Sequence, residues 1–227
     1  MWDYPGVGYF LAQNILGEWY DVSHLLFDKA EDRDTCISLS YALTADFNND
    51  GKPDIYAACH AVDFGLTQAE IDQLGPERLK DVLTEDQILF LSTPSGKYKR
   101  QSMGLDIYGH KAAAADVDSD GNIDIITTDS LNTNNRLPFL LRGNGDGTFT
   151  RDDSFITEKV MLDDPHVTNW NVFLIPTNNN LSLVLGYSGG SKLDTEISNT
   201  VLCSGQLIPD SMLVRFSAFA GGTPLLN

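Results

Sequence analysis

Apolar and small side chains recur along the chain in short runs, at 39–45, 55–58 and 88–91 in the first half and at 112–115, 125–128 and 139–141 in the second. Turn-forming residues bound each run, a pattern that predicts strands. Two runs pass through a glycine turn to an aromatic residue, Ile88-Leu-Phe-Leu-Ser-Thr-Pro-Ser-Gly-Lys-Tyr98 and Phe139-Leu-Leu-Arg-Gly-Asn-Gly-Asp-Gly-Thr-Phe149, and each reads as a hairpin.

The runs belong to an internal repeat. Ala45-Asp-Phe-Asn-Asn-Asp-Gly-Lys-Pro-Asp-Ile55 recurs 70 residues later as Ala115-Asp-Val-Asp-Ser-Asp-Gly-Asn-Ile-Asp-Ile125. Each copy is a strand, a tight acidic loop and a strand. With the hairpin that follows, it makes a four-stranded antiparallel unit. Such units at a fixed period predict an all-β fold of β-propeller blades. A third unit is expected from the runs at 170–176, 181–187, 200–204 and 212–219, its acidic loop reduced to Thr177-Asn-Asn-Asn180. Residues 9–21 read as the last two strands of a preceding unit.

The expected organisation is a single partial propeller: the end of a blade at 1–36, blades with acidic loops at 37–109 and 110–168, and a degenerate blade at 169–227. About three and a half blades lie at the low edge of the roughly 4 to 8 that close a propeller. The chain is therefore expected to be a fragment, or to be completed by the remainder of a longer propeller. Residues 66–87 break the β pattern. Thr67-Gln-Ala-Glu70 is a capping box, Leu66 and Ile71 suit a hydrophobic staple, and Gly75-Pro76 ends one helix and permits another to Leu83. A small helical insertion is expected there, covering a sheet end or meeting a partner.

In Asp116-Val-Asp118-Ser-Asp120-Gly-Asn122-Ile-Asp124, the carboxylates at positions 1, 3, 5 and 9 converge on one point if the loop curls, and Gly121 permits the curl. The Asn122 carbonyl at position 7 adds an oxygen. An all-oxygen anionic cage suits calcium (Ca2+) better than magnesium, which holds to octahedral geometry and keeps its waters. The first loop offers Asp46, Asn48, Asp50, the Lys52 carbonyl and Asp54. It carries one charge fewer and is expected to bind calcium more weakly. An EF-hand is excluded, because position 12 is Ala57 or Thr127 rather than Glu and both loops exit into strand sequence. Bare Asx turns are the alternative, opposed by the repulsion within clustered carboxylates. Asn144-Gly-Asp-Gly147 has the composition of an ordinary β-turn and stays outside the metal set.

The two acidic loops and Arg142-Gly-Asn-Gly-Asp-Gly-Thr-Phe-Thr150 resemble the FG-GAP/VCBS repeats of integrin-alpha-like β-propellers. His110-Lys-Ala-Ala-Ala-Ala-Asp116 is similar to the run-in to the calcium loop in secreted bacterial members, and Leu183-Val-Leu-Gly186 to the strand after it. The likeness spans residues 38–187. It implies that each calcium loop joins the first two strands of a blade. It also implies an extracellular, periplasmic or cell-surface module for recognition, adhesion or scaffolding, with structural calcium and a protein or carbohydrate ligand. The connections at 23–36, 61–87, 103–109, 129–137, 157–168 and 187–198 would share the face opposite those loops. His24, His60, His166 and acidic residues including Asp28, Glu85 and Asp86 would lie on or beside it. The lost third loop, the insertion and the small number of blades depart from the family pattern.

Composition narrows the partners. With 32 acidic against 15 basic side chains the formal charge is -17, which repels phosphate backbones and anionic lipid and argues against nucleic acid. The apolar runs fall far short of the roughly 20 residues that span a bilayer, so no membrane insertion is expected. The N-terminus lacks a signal sequence. Calcium affinities of about 10⁻⁴ to 10⁻³ M, as in extracellular modules, favour export, so the native N-terminus is expected to lie elsewhere. Cys36, Cys59 and Cys203 read as buried thiols acting as small hydrophobes, with a Cys36–Cys59 bridge left open. The four histidines show no metal-ligand spacing. A carbohydrate-active enzyme, a polysaccharide lyase or hydrolase using paired carboxylates on a propeller face, is the alternative function. The three tryptophans are expected mainly in inter-sheet core.

Overall fold

The computed structural model describes residues 10–61, 73, 83–129, 138–155, 168–177, 180–188, 199–204 and 214–215. The chain divides into two units, 1–108 and 109–227. Both are built from antiparallel sheet; the described residues also include a short α-helical element, α1 (Ser23–Leu26), one 3-10 turn (Ala30–Arg33), and the isolated helical positions Gln73 and Leu83.

Unit 1 opens with a hairpin of β1 (Leu11–Gln13) and β2 (Trp19–Asp21). Its main sheet is a meander of β3 (Ser38–Ala45), β4 (Asp54–His60), β5 (Glu85–Ser92) and β6 (Tyr98–Ile107), hydrogen-bonded in that order. The register pairs Ala45 with Asp54 and Ser92 with Tyr98 at one end of the sheet. Ser38 with His60 and Glu85 with Ile107 form the other end. The acidic loop therefore shares its end of the sheet with the β5–β6 turn, where the Tyr98 hydroxyl donates to the Pro53 carbonyl at 3.1 Å. Lys97 of that turn is ion-paired with Asp28 just beyond α1, so Asp28 lies at the loop end rather than on the face expected opposite it. Ala57, Cys59, Ile88 and Phe90 form a core with Phe27 and Cys36, against which Phe10, Leu26 and Tyr98 pack. The Phe10 and Phe27 rings lie 4.8 Å apart. The central strands read as near-continuous apolar runs because they are buried, whereas edge strand β3 has no buried residue.

Where the β4–β5 register ends, a side chain continues the ladder. The Cys59 N–H donates to Gln87 Oε1 at 2.8 Å, and Gln87 Nε2 donates to the Cys59 carbonyl at 2.9 Å. Gln87 is fully buried beside the β5–β6 bulge, so its amide supplies the donor and acceptor that the backbone there lacks.

Unit 2 holds two four-stranded sheets. The first is β7 (Ala112–Ala115), β8 (Asp124–Thr127), β9 (Phe139–Gly143) and β10 (Phe149–Asp152). The second is β11 (Thr168–Thr177), β12 (Asn180–Ser188), β13 (Asn199–Ser204) and β14 (Val214–Arg215). Both are antiparallel meanders. Val117, Ile126 and Leu140 share one core with Val172 and Leu183, so the two sheets bury apolar faces against each other.

Four further expectations change. Cys36 and Cys59 are joined by a disulfide rather than being free thiols, which staples the approach to β3 onto β4. β6 continues to Ile107, through most of the expected 103–109 connection. Residues 85–87 of the expected helical insertion are strand. The rest of 66–87, apart from Gln73 and 83–84, lies outside the described residues, as does His166. Trp19 is 63% exposed rather than in a core.

Candidate metal centre

Both acidic loops use one backbone design. Position 4 takes the left-handed conformation, at Asn49 (φ 56°) and Ser119 (φ 62°), and so does the glycine at position 6, at Gly51 (φ 81°) and Gly121 (φ 90°). Side chains rarely adopt this region except Asn, Asp and Gly. Two such turns within three residues fold positions 1, 3 and 5 inward. In the first loop Asp46 accepts the N–H groups of Asp50 (3.1 Å) and Gly51 (2.8 Å). Asn48 Oδ1 accepts Asp50 N–H at 3.1 Å, and Asp50 accepts Lys52 N–H at 2.9 Å. In the second, Asp116 accepts from Asp120 (3.1 Å) and Gly121 (3.0 Å), Asp118 from Asp120 (3.3 Å), and Asp120 from Asn122 (2.8 Å). The four bonds correspond one for one.

One carboxylate oxygen each from Asp116, Asp118 and Asp120 lies within 4.8 Å of the others. This spacing suits oxygen ligands at 2.3 to 2.6 Å from a shared cation, the range of calcium. The donor chemistry also fits, since every ligand offered is oxygen.

Position 9 stands outside the three-carboxylate group of the second loop and also holds backbone. Asp54 is fully buried, accepting Phe47 N–H at 2.9 Å and Ser92 N–H at 2.7 Å. Asp124 likewise accepts Val117 N–H at 2.9 Å and Gly143 N–H at 2.8 Å. Each aspartate thus ties its loop to the third strand of the sheet. Burial pushes the Asp124 carboxyl above its usual range, opposed by those two N–H groups and reinforced by Asp118 and Asp120. The approach is close: a Cβ on Gly143 would stand 2.3 Å from the Ile123 carbonyl oxygen, so only glycine fits.

Arg142 of β9 is the residue that loop spacing does not reveal. Its Nη1 is ion-paired with Asp118, while Nη2 and Nε reach Asp152 at 2.9 and 3.1 Å. In unit 1 the equivalent of Gly143 is Ser92, whose hydroxyl donates to Asp50 at 3.2 and 3.1 Å. Lys52 contributes its backbone to the first loop, and its Nζ donates to the Thr93 carbonyl at 2.8 Å.

Several other described groups hold backbone or pack against rings. Glu85 accepts Ile37 N–H at 2.8 Å and Asp86 accepts Leu105 N–H at 2.9 Å, so both carboxylates at the far end of β5 hold backbone. Burial raises the Glu85 carboxyl. His60 stacks on Tyr108 at 4.4 Å. Asp146 accepts Thr148 N–H and hydroxyl within the 144–148 turn. No family model matches the chain, and no curated protein matches it.

Proposed function

We propose that this chain is a calcium-binding β-propeller module for extracellular recognition, adhesion or scaffolding, in which calcium is structural. The carrying observation is the bond-for-bond equivalence of the two acidic loops, each joining the first two strands of a four-stranded meander. Asp46, Asn48, Asp50, the Lys52 carbonyl and Asp54 would hold one ion. Asp116, Asp118, Asp120, the Asn122 carbonyl and Asp124 would hold the other. Bound calcium supplies positive charge that offsets carboxylate repulsion and pins each hairpin.

Side-by-side apolar packing of two meanders in unit 2 supports blades as the repeating element. The Cys36–Cys59 disulfide supports an oxidising compartment outside the cytosol. The alternative of polysaccharide cleavage gains nothing from Glu85 and Asp86, which are engaged with backbone. Calorimetric titration tests the metal reading: two calcium ions per chain, with Kd values of about 10⁻⁴ to 10⁻³ M and little magnesium competition, are expected. Absence of calcium binding at millimolar concentration would refute it.

A further inference from the structure

The two loops share a backbone but not an electrostatic environment. Phe90 pairs with Ile55 and Leu141 pairs with Ile125, and the next residues along the third strands are Leu91 and Arg142. The same alignment makes Ser92 and Gly143 equivalent, as donors to Asp54 and Asp124. Unit 1 therefore carries a leucine where unit 2 carries a guanidinium, and that guanidinium is paired with one of the three converging carboxylates. Its second partner, Asp152, lies on edge strand β10 and is itself held by Ser154.

We infer that Arg142 is a built-in counter-cation of the second loop, displaced from Asp118 when a metal ion enters and retained on Asp152. The inference rests on the calcium reading of the loops and deepens it. A carboxylate cluster without a cation repels itself; a guanidinium on Asp118 relieves part of that repulsion from inside the protein. The same contact must break for Asp118 to ligate, so it lowers the loop's affinity. Asp152 gives the released side chain a place to stay. The first loop, with Leu91 at this position, has no such group there. Charge count alone ranks the second loop as the tighter site, and Arg142 narrows that ranking.

The test is thermal unfolding and calcium titration of wild type, Arg142→Leu, Arg142→Lys and Asp152→Asn, each in chelator and in millimolar calcium. In chelator, Arg142→Leu should unfold several degrees below wild type and Arg142→Lys closer to it. Calcium should recover most of the Arg142→Leu deficit. The affinity of one of the two sites should tighten roughly two- to fivefold in Arg142→Leu, the worth of a partly exposed ion pair. Asp152→Asn, which removes the group that receives the released guanidinium, should weaken the calcium response of the second loop, and an unchanged response would overturn that role of Asp152. An equal calcium gain in wild type and Arg142→Leu, with unchanged affinities, would overturn the exchange while leaving calcium binding intact. A calcium response in neither protein would overturn both.

Discussion

In both units an aspartate at position 9 is buried beneath the acidic loop and accepts two backbone N–H groups, yet the charges above it are balanced differently. Unit 2 gathers Asp116, Asp118 and Asp120 and sets Arg142 against them. Unit 1 replaces one carboxylate by Asn48, places the Ser92 hydroxyl on Asp50 and staples its sheet with a disulfide. Backbone geometry is thus set by the glycine and the Asx bonds common to both loops. Charge balance is set by residues on a strand some 20 to 40 positions away in sequence. The comparison separates what makes the loop from what tunes it.

The sharpest way to break this equivalence is to remove the aspartate that both loops need. Asp54→Ala and Asp124→Ala each strand two backbone donors and should cost about 2 to 5 kcal/mol in denaturant unfolding. A near-neutral result at either position would show that the two clips are not equivalent. Removing the disulfide should distinguish the units. Cys36→Ser with Cys59→Ser opens a link across a sequence separation of 23 residues and should cost about 3 kcal/mol. The calcium response of the second loop should survive.

A smaller effect tests the loops as ligand sets. Asp120→Ala should reduce calcium-dependent stabilisation more than Asn48→Ala, because it removes a charged ligand. Asn48→Asp should strengthen the first loop's calcium affinity by up to about tenfold, measured by titration. Equal effects of the two alanine variants would contradict the ranking.

The smallest effect concerns the far end of unit 1. Burial raises the Glu85 carboxyl above the ordinary carboxylate range, so its protonated form is favoured in the folded state. Its contribution to stability is full below the unfolded value and is lost as pH rises through the folded one. Glu85→Gln keeps an acceptor for Ile37 N–H without the charge. Its midpoint should match wild type near pH 4 and exceed it at pH 7, and a gap that narrows as pH rises would reverse the sign.

Much of the sheet structure was legible because the strands are short, apolar and punctuated by turn residues. The expected strands at 39–45, 55–58, 88–91, 112–115 and 139–141 all fall inside observed ones. The last part of β6 is not legible as strand, because 103–107 carries the polar, glycine-containing sequence of an exposed edge, Met103-Gly-Leu-Asp-Ile107. Sequence alone does not fix the disulfide, because Cys36 and Cys59 are brought together only by β3–β4 pairing. At the loops, the curl at Gly51 and Gly121 follows from local chemistry and was readable. The inward turn of Asp54 and Asp124 and the reach of Arg142 depend on a third strand, so no local spacing encodes them. The identity of Arg142 was visible in the repeat, but its partner Asp118 was not.

The central claim, that the paired loops are calcium sites whose occupancy stabilises the fold, is met most directly by thermal unfolding in millimolar calcium, in equal magnesium and in chelator. The proteins to compare are wild type and the double variant Asp46→Ala with Asp116→Ala, which removes position 1 from both loops. A calcium-selective rise in midpoint for wild type, abolished in the double variant, is the expected result. A midpoint indifferent to calcium, or an equal rise in the double variant, would contradict it.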